Sequence, residues 1–198
     1  MPLLVLTGSP GPTLLTPRLN LRRWTQRDRG TFARINVDPE VMEYRFAPLS
    51  RRQSDALIDQ QEASFSSRGF GLWAVERRHD RRLLGFTGLG TSEFDAPICP
   101  AVDIGWQLAR DAWGYGYATE GARAVLTFAF HELGLAEVVS HTTRLNTRSR
   151  AVMSRLGMTH NPTDDFDGPW YPPGHPRRRF VLYRLSSSEW QKRQRHLT

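Results

Sequence analysis

Trp113-Gly114-Tyr115-Gly116-Tyr117-Ala118 is the stretch of this chain best suited to hold a charged ligand. Two glycines one residue apart let the backbone approach a ligand closely. Helical periodicity begins immediately after them, so the free N–H groups and positive dipole end of that helix face back at the turn. Such a nest suits a pyrophosphate. It is not a Walker loop, since the lysine and the Gly-x-x-x-x-Gly spacing are missing, and it lacks the third glycine of a dinucleotide fingerprint. By itself, a G-x-G turn can equally be a tight strand-to-helix connection.

Other constellations are negative. The six histidines show no metal spacing: His131-Glu132 lacks the second histidine of H-E-x-x-H, and Cys99 has no cysteine partner. No metal is expected. No G-x-S-x-G elbow is present, and nothing places a base beside Cys99, so a covalent acyl-enzyme is not expected.

The elements that position the turn follow from pattern. Residues 19–24 alternate apolar and polar, a first strand. Thr25 with Asp28 starts a helix carrying Phe32 and Ile35. Asp38-Pro39 breaks the chain before a short helical piece around Val41 and Met42. Ser50 with Gln53 begins a helix running to about Arg68, with Ala56, Leu57, Gln60 and Ala63 along one side, and Gly69 ends it. Strands over 72–76 and 83–89 flank a polar turn as a hairpin, and 101–108 is a third strand. Ala118, Ala122, Val125, Leu126, Ala129, Phe130 and Leu133 then make one apolar helical stripe that stops at Gly134. A strand over 137–143, a helix over 149–156 ended by Gly157, a Pro- and Gly-rich loop over 161–176, a strand over 180–185 and a basic helical end from Ser187 complete the order. This is a mixed α/β (α+β) chain with a mostly antiparallel sheet and at least one strand-helix-strand unit.

Length and composition set the frame. A chain of 198 residues suits one domain with one sizeable core. With 39% hydrophobic and 24% charged residues it reads as globular, not disordered. No apolar stretch approaches the ~18 residues that span a bilayer. Leu3 to Leu6 is too short for a signal-peptide core, so residues 1–15 read as a flexible N-terminal arm and 16–198 as a single domain. The single cysteine excludes an intrachain disulfide and suits a reducing compartment, which makes the cytoplasm the expected location. The formal charge of +7 admits a nucleic-acid partner, but Lys192 is the only lysine and the arginines are scattered. Attraction of an anionic cofactor accounts for the same charge.

The stretch from Asp103 to Arg110, followed by Trp113-Gly114-Tyr115-Gly116-Tyr117-Ala118-Thr119-Glu120, resembles the cofactor motif of the GNAT superfamily of N-acetyltransferases, written Q/R-x-x-G-x-G/A. Gly116 and Ala118 take its last two places, and Trp113 stands where Gln or Arg is usual. The W-G-x-G-Y-A-T-E form looks like the RimJ/RimL branch, whose best-known members acetylate the N-termini of ribosomal proteins. Thr16-Pro17-Arg18-Leu19, Asp38 to Met42, Leu84 to Leu89, Asn146 to Ser149 and Arg155 to Met158 resemble further segments of that branch, with Met158 in place of the usual Phe.

The resemblance implies a GNAT fold whose sheet splays between 101–108 and 137–143, with acetyl-CoA as cosubstrate and an amine as acceptor, either a peptide N-terminus or a small molecule. The pantetheine arm would pair with backbone at Leu108 and Ala109, and Gly105 would suit a bulge. Backbone N–H groups from Gly114, Tyr115, Gly116, Tyr117, Ala118 and Thr119 would hold the pyrophosphate, with Arg110 either adding charge or simply solvated. Asp103 is the candidate base, with a structural strand carboxylate as the plain alternative, and Glu93 is a second choice. Ser149 would donate a hydrogen bond to the coenzyme thiolate, or else be an ordinary N-cap. Asn146 would bind pantetheine or position Ser149, or else be a turn residue. Tyr44, Phe46, Trp73 and Trp106 either line the acceptor pocket or belong to the core. Two other readings remain at this stage, a nonenzymatic acyl-CoA-binding or regulatory domain and a nucleic-acid binder. A homodimer is left open.

Overall fold

The computed structural model describes residues 5–6, 11–45, 47–92 and 101–195. They fall into two compact units, Met1–Gly90 with Gly105–Val125, and Thr91–Ile104 with Leu126–Thr198.

In the first unit, strands β1 (Val5–Leu6), β2 (Thr13–Leu15), β3 (Leu19–Arg22), β4 (Leu72–Arg77) and β5 (Leu83–Ser92) pair antiparallel in sequence order. Period-two alternation explains β3: Leu19 and Leu21 are fully buried, whereas Asn20 and Arg22 turn to the other face and bond Glu76 on β4. Helix α1 (Asp28–Ile35) starts later than the Thr25/Asp28 pair suggests, with Arg27 at its N-cap and no side-chain cap bond, while the Asp28 carboxylate accepts from both Thr25 N and Thr25 Oγ1 at 2.8 Å. Burial alone would raise the Asp28 carboxyl, but hydrogen bonds from Arg22 and Thr25 outweigh it and hold Asp28 below its ordinary value.

Helix α2 (Arg51–Arg68) carries the expected Ser50/Gln53 capping box and ends at Gly69 in the left-handed region. Its buried side differs from the predicted one. Ser54, Ile58 and Phe65 face the core, while Ala56, Gln60 and Ala63 are exposed. The reason lies in Ser54, a polar residue hidden because its Oγ accepts from Asn36 Nδ2 at 2.8 Å. Asn36 in turn accepts from Gln107 Nε2 at 2.6 Å, so a buried polar chain replaces the apolar stripe.

Two more expectations are corrected. Val41 and Met42 lie in successive turns, not a helix, with Asp38 Oδ1 accepting from Glu40 N and Val41 N. Thr13–Leu15, assigned to the N-terminal arm, is a strand of the sheet, and its Leu14 is fully buried.

Strand β6 (Ala101–Leu108) and helix α3 (Tyr117–His131) each contribute to both units, and the last two residues of β5, Thr91 and Ser92, belong to the second. The buried residues of α3 include Ala122, Val125, Leu126, Ala129 and Phe130, the predicted stripe.

The second unit centres on β10 (Arg179–Ser186). It pairs antiparallel with β7 (Glu137–Thr143) from Phe180↔Thr143 to Ser186↔Glu137, and with the short β8 (Thr159–His160) and β9 (Phe166–Asp167). The last two lie within or beside the segment expected to be loop. Helices α4 (Thr147–Leu156) and α5 (Ser187–Arg195) bury Met153, Leu156 and Trp190. Between β6 and β7 the ladder is parallel, and among the described residues it holds one register pair, Asp103↔Val139, beside which Ser140 Oγ donates to Ile104 O at 2.9 Å. The architecture is therefore an open, mixed, mainly antiparallel sheet flanked by helices.

Candidate active site

The glycine turn has the geometry its sequence suggested. Gly114 (φ +85°) and Gly116 (φ +82°) are both left-handed, a conformation that L side chains adopt only with strain. The space where a Cβ would stand is open at Gly114, and at Gly116 the nearest atom is Arg18 Nη2 at 3.6 Å. The N–H groups of Gly114, Tyr115, Gly116, Tyr117, Ala118 and Thr119 find no acceptor among the described residues. The intrahelical ladder of α3 begins with Glu120 N donating to Gly116 O at 3.0 Å. Successive unengaged donors on a turn of this kind, at the positive end of a helix of 15 residues, form an anion seat.

Several side chains hold the turn in place. Trp113 Nε1 donates to Leu108 O at 2.9 Å, tying the turn to the end of β6. Arg110 pairs with Glu40 at 2.8 Å and lies over the Trp113 ring at 4.9 Å. The Glu120 carboxylate, in the first turn of α3, receives Thr16 Oγ1 at 2.6 Å, Arg18 N at 2.9 Å and Arg18 Nε at 2.6 Å. Arg77 donates to Asp80 from Nε at 3.0 Å and from Nη2 at 2.5 Å, which holds its guanidinium above the ordinary arginine range.

At Leu108 and Ala109 most backbone groups already have partners. Ala109 N donates to Leu84 O at 2.7 Å and Ala109 O accepts from Ala112 N at 2.9 Å, while Leu108 O takes the indole of Trp113. An extended ligand there meets carbonyl lone pairs, not the Ala109 N–H. Gly105 lies in β6 with open space at its side-chain position, and its carbonyl accepts from Thr87 Oγ1 at 3.0 Å. A register shift in the β4–β5 ladder falls at Val75/Glu76.

In the second unit Asp103 is half-buried, and its Oδ1 accepts from Ser92 Oγ at 3.1 Å. Asn146 caps α4: its Oδ1 accepts from Ser149 N at 3.1 Å, and its Nδ2 donates to Thr142 Oγ1 at 3.2 Å. Helix α4 thus starts two residues earlier than predicted. Ser149 is its third residue, not its cap, and the half-buried Ser149 hydroxyl has no hydrogen-bond partner among the described residues. The consequence is a separable pair of variants. Asn146→Ala should cost about 1 kcal/mol of stability by urea titration, whereas Ser149→Ala should leave the midpoint unmoved and lower kcat. A stability loss confined to Ser149→Ala would return the cap to that residue.

Trp73 is fully buried, bonds Pro12 O at 2.8 Å and packs edge-on against Phe65, so it belongs to the core. Tyr44 and Trp106 are half-buried. In the 161–176 segment Tyr171 is core, packed with Phe166 and Phe180, whereas the half-exposed Trp170 lies parallel to the His141 ring at 6.1 Å. Phe46, Glu93 and Cys99 lie outside the described residues. Arg18 and Glu120 stood inside recognised segments, yet their local spacing carried no sign that they would meet.

An open mixed sheet and a glycine turn of free donors at the start of a helix are compatible with a transferase that holds a phosphate-bearing donor. The family comparison agrees, since residues 18–159 match the acetyltransferase (GNAT) domain model, and the chain belongs to that family. It is therefore an acetyl-CoA-dependent acetyltransferase. A relative described as FsC-acetyl coenzyme A-N(2)-transacetylase, from Aspergillus fumigatus, is 33% identical, with 96% of this chain and 83% of that one covered. Among solved structures, an acetyltransferase from Agrobacterium tumefaciens superposes with a TM-score of 0.71 at 26% identity, covering 88% of this chain and 94% of the other. A GNAT-family acetyltransferase from Bacillus anthracis gives 0.74 at 20% identity over 89% and 99%, a likeness of fold.

Proposed function

We propose that this acetyltransferase moves the acetyl group of acetyl-CoA onto a primary amine by direct attack in a ternary complex. The observation that carries the proposal is the run of N–H groups from Gly114 to Thr119 at the start of α3 that find no acceptor among the described residues, which suits the pyrophosphate of the donor. The pantetheine amides donate to carbonyls at Leu108 and Ala109, because the Ala109 N–H is already used. The amine nitrogen attacks the thioester carbonyl, the C–S bond breaks, the nitrogen loses a proton and the thiolate takes one from solvent. Asp103 takes the first proton. Ser149, whose hydroxyl has no partner among the described residues, supports the departing thiolate, and Asn146 sets its position through the cap. The W-G-x-G-Y-A-T-E form of the turn supports the RimJ/RimL branch, and the single cysteine supports a cytoplasmic location.

For the acceptor we propose a small amine without multiple positive charges, or an uncharged or acidic peptide N-terminus. Three considerations support this. The Aspergillus relative is described as acting at an N(2) nitrogen, and this chain's charge of +7 repels polycations. Amine basicity also matters: an alkylamine near pKa 10.4 carries a deprotonation cost of roughly 4–5 kcal/mol at neutral pH, against about 1 kcal/mol for an α-amine near 8. The check is release of coenzyme A thiol across an amine panel, with kcat/KM compared at fixed acetyl-CoA and low salt. Such amines are expected to outrun spermidine. A spermidine advantage of about tenfold or more would mean a locally acidic cleft and sink the acceptor assignment.

A further inference from the structure

We infer that Arg18, just ahead of β3, is the positioning residue of the glycine turn, holding the Tyr115–Gly116 peptide so that the Gly116 N–H points to the donor's pyrophosphate. The inference rests on the reading of that turn as the pyrophosphate seat.

Arg18 Nη1 donates to Tyr115 O at 2.9 Å. In a trans peptide the C=O and the following N–H point to opposite sides. Fixing the Tyr115 carbonyl on Arg18 therefore aims the Gly116 N–H away from Arg18. Gly114 and Gly116, one on each side of Tyr115, are left-handed. Glycine tolerates both signs of φ, so a peptide in such a turn rotates easily unless something outside it fixes it.

Arg18 itself is anchored three ways. Its Nε and Nη2 both meet Glu120 Oε2 at 2.6 Å, its own backbone N–H donates to Glu120 Oε1 at 2.9 Å, and its guanidinium lies over the Tyr117 ring at 4.7 Å. Thr16 Oγ1 completes the Glu120 shell. The pair joins a half-exposed arginine to a mostly buried carboxylate in the first turn of α3, with side-chain exposures of 49% and 15%. A plain surface ion pair would contribute little. This one spans about 100 residues of sequence and orients a main-chain carbonyl, so its effect is on geometry. Arginine suits the role because one planar fork serves the carboxylate, the carbonyl and the ring together, which a lysine ammonium cannot do.

The experiment compares two acetyl donors, acetyl-CoA and S-acetylpantetheine, the second lacking pyrophosphate and nucleotide. For Arg18→Ala the KM for acetyl-CoA should rise about tenfold or more, kcat should stay within about twofold, and kcat/KM for S-acetylpantetheine should not change. Arg18→Lys should show the same split, without rescue. An unchanged KM for acetyl-CoA, or an equal loss with both donors, would overturn the inference. Arg18→Lys also keeps the test open if the alanine variant folds poorly. The underlying reading fails separately: if the wild-type enzyme does not favour acetyl-CoA over S-acetylpantetheine, the turn is not a pyrophosphate seat. A wild-type preference that survives in both Arg18 variants removes only the role of Arg18.

Discussion

Gly116→Trp is expected to yield a folded protein that no longer binds acetyl-CoA in calorimetry. Two effects act together. Gly116 has φ +82°, where an L residue carries strain of roughly 1–2 kcal/mol. That much weakens the turn without unfolding the domain, since nothing blocks a Cβ there, the nearest atom being Arg18 Nη2 at 3.6 Å. The indole then occupies the space onto which the free N–H groups of residues 114–119 open. Gly116→Ala carries the same backbone strain with almost no bulk, so it should retain measurable binding. That comparison separates occlusion from strain. Acetyl-CoA affinity unchanged in the tryptophan variant would remove the turn from the site.

Asp103→Asn should lower kcat about 10²-fold at neutral pH and recover in part at high pH, where the amine is already neutral. Among the described residues Asp103 occupies the one β6 position registered against β7, opposite Val139. Its Oδ1 accepts from Ser92 Oγ, a hydrogen bond that asparagine can keep through its own carbonyl oxygen. The substitution therefore removes the charge with little disturbance of the strand. A pH–rate profile parallel to that of the wild type, merely lower throughout, would assign Asp103 a structural role and leave deprotonation to water. A fall of less than about threefold would do the same.

Much of the scaffold was legible because its signals are local. The stripe of α3, the Ser50/Gln53 box of α2 and the bounds of β6 and β7 follow from periodicity and capping within a few residues. The glycine turn was legible for the same reason: two glycines before a helical stripe have few conformational uses. Ser149 was a harder case. Asn146 and Ser149 are both competent N-caps three residues apart, and composition alone does not rank them. The backbone decides, since Asn146 (φ −79°, ψ 75°) is the non-helical residue whose side chain reaches Ser149 N.

By itself, then, the sequence determined the main helices and longer strands, the glycine turn and the family resemblance, all of which rest on patterns among near neighbours in the chain. Only the tertiary structure decided the rest. The buried side of α2 was set by Asn36 and Gln107, which lie far from Ser54 in the chain and turn a polar position inward by bonding it. The Ala109 N–H was committed by Leu84. Arg18 gained its place at the turn from Glu120 and Tyr115, about a hundred residues away, because pairing between distant segments is fixed by how the strands and helices pack, and no local pattern encodes it.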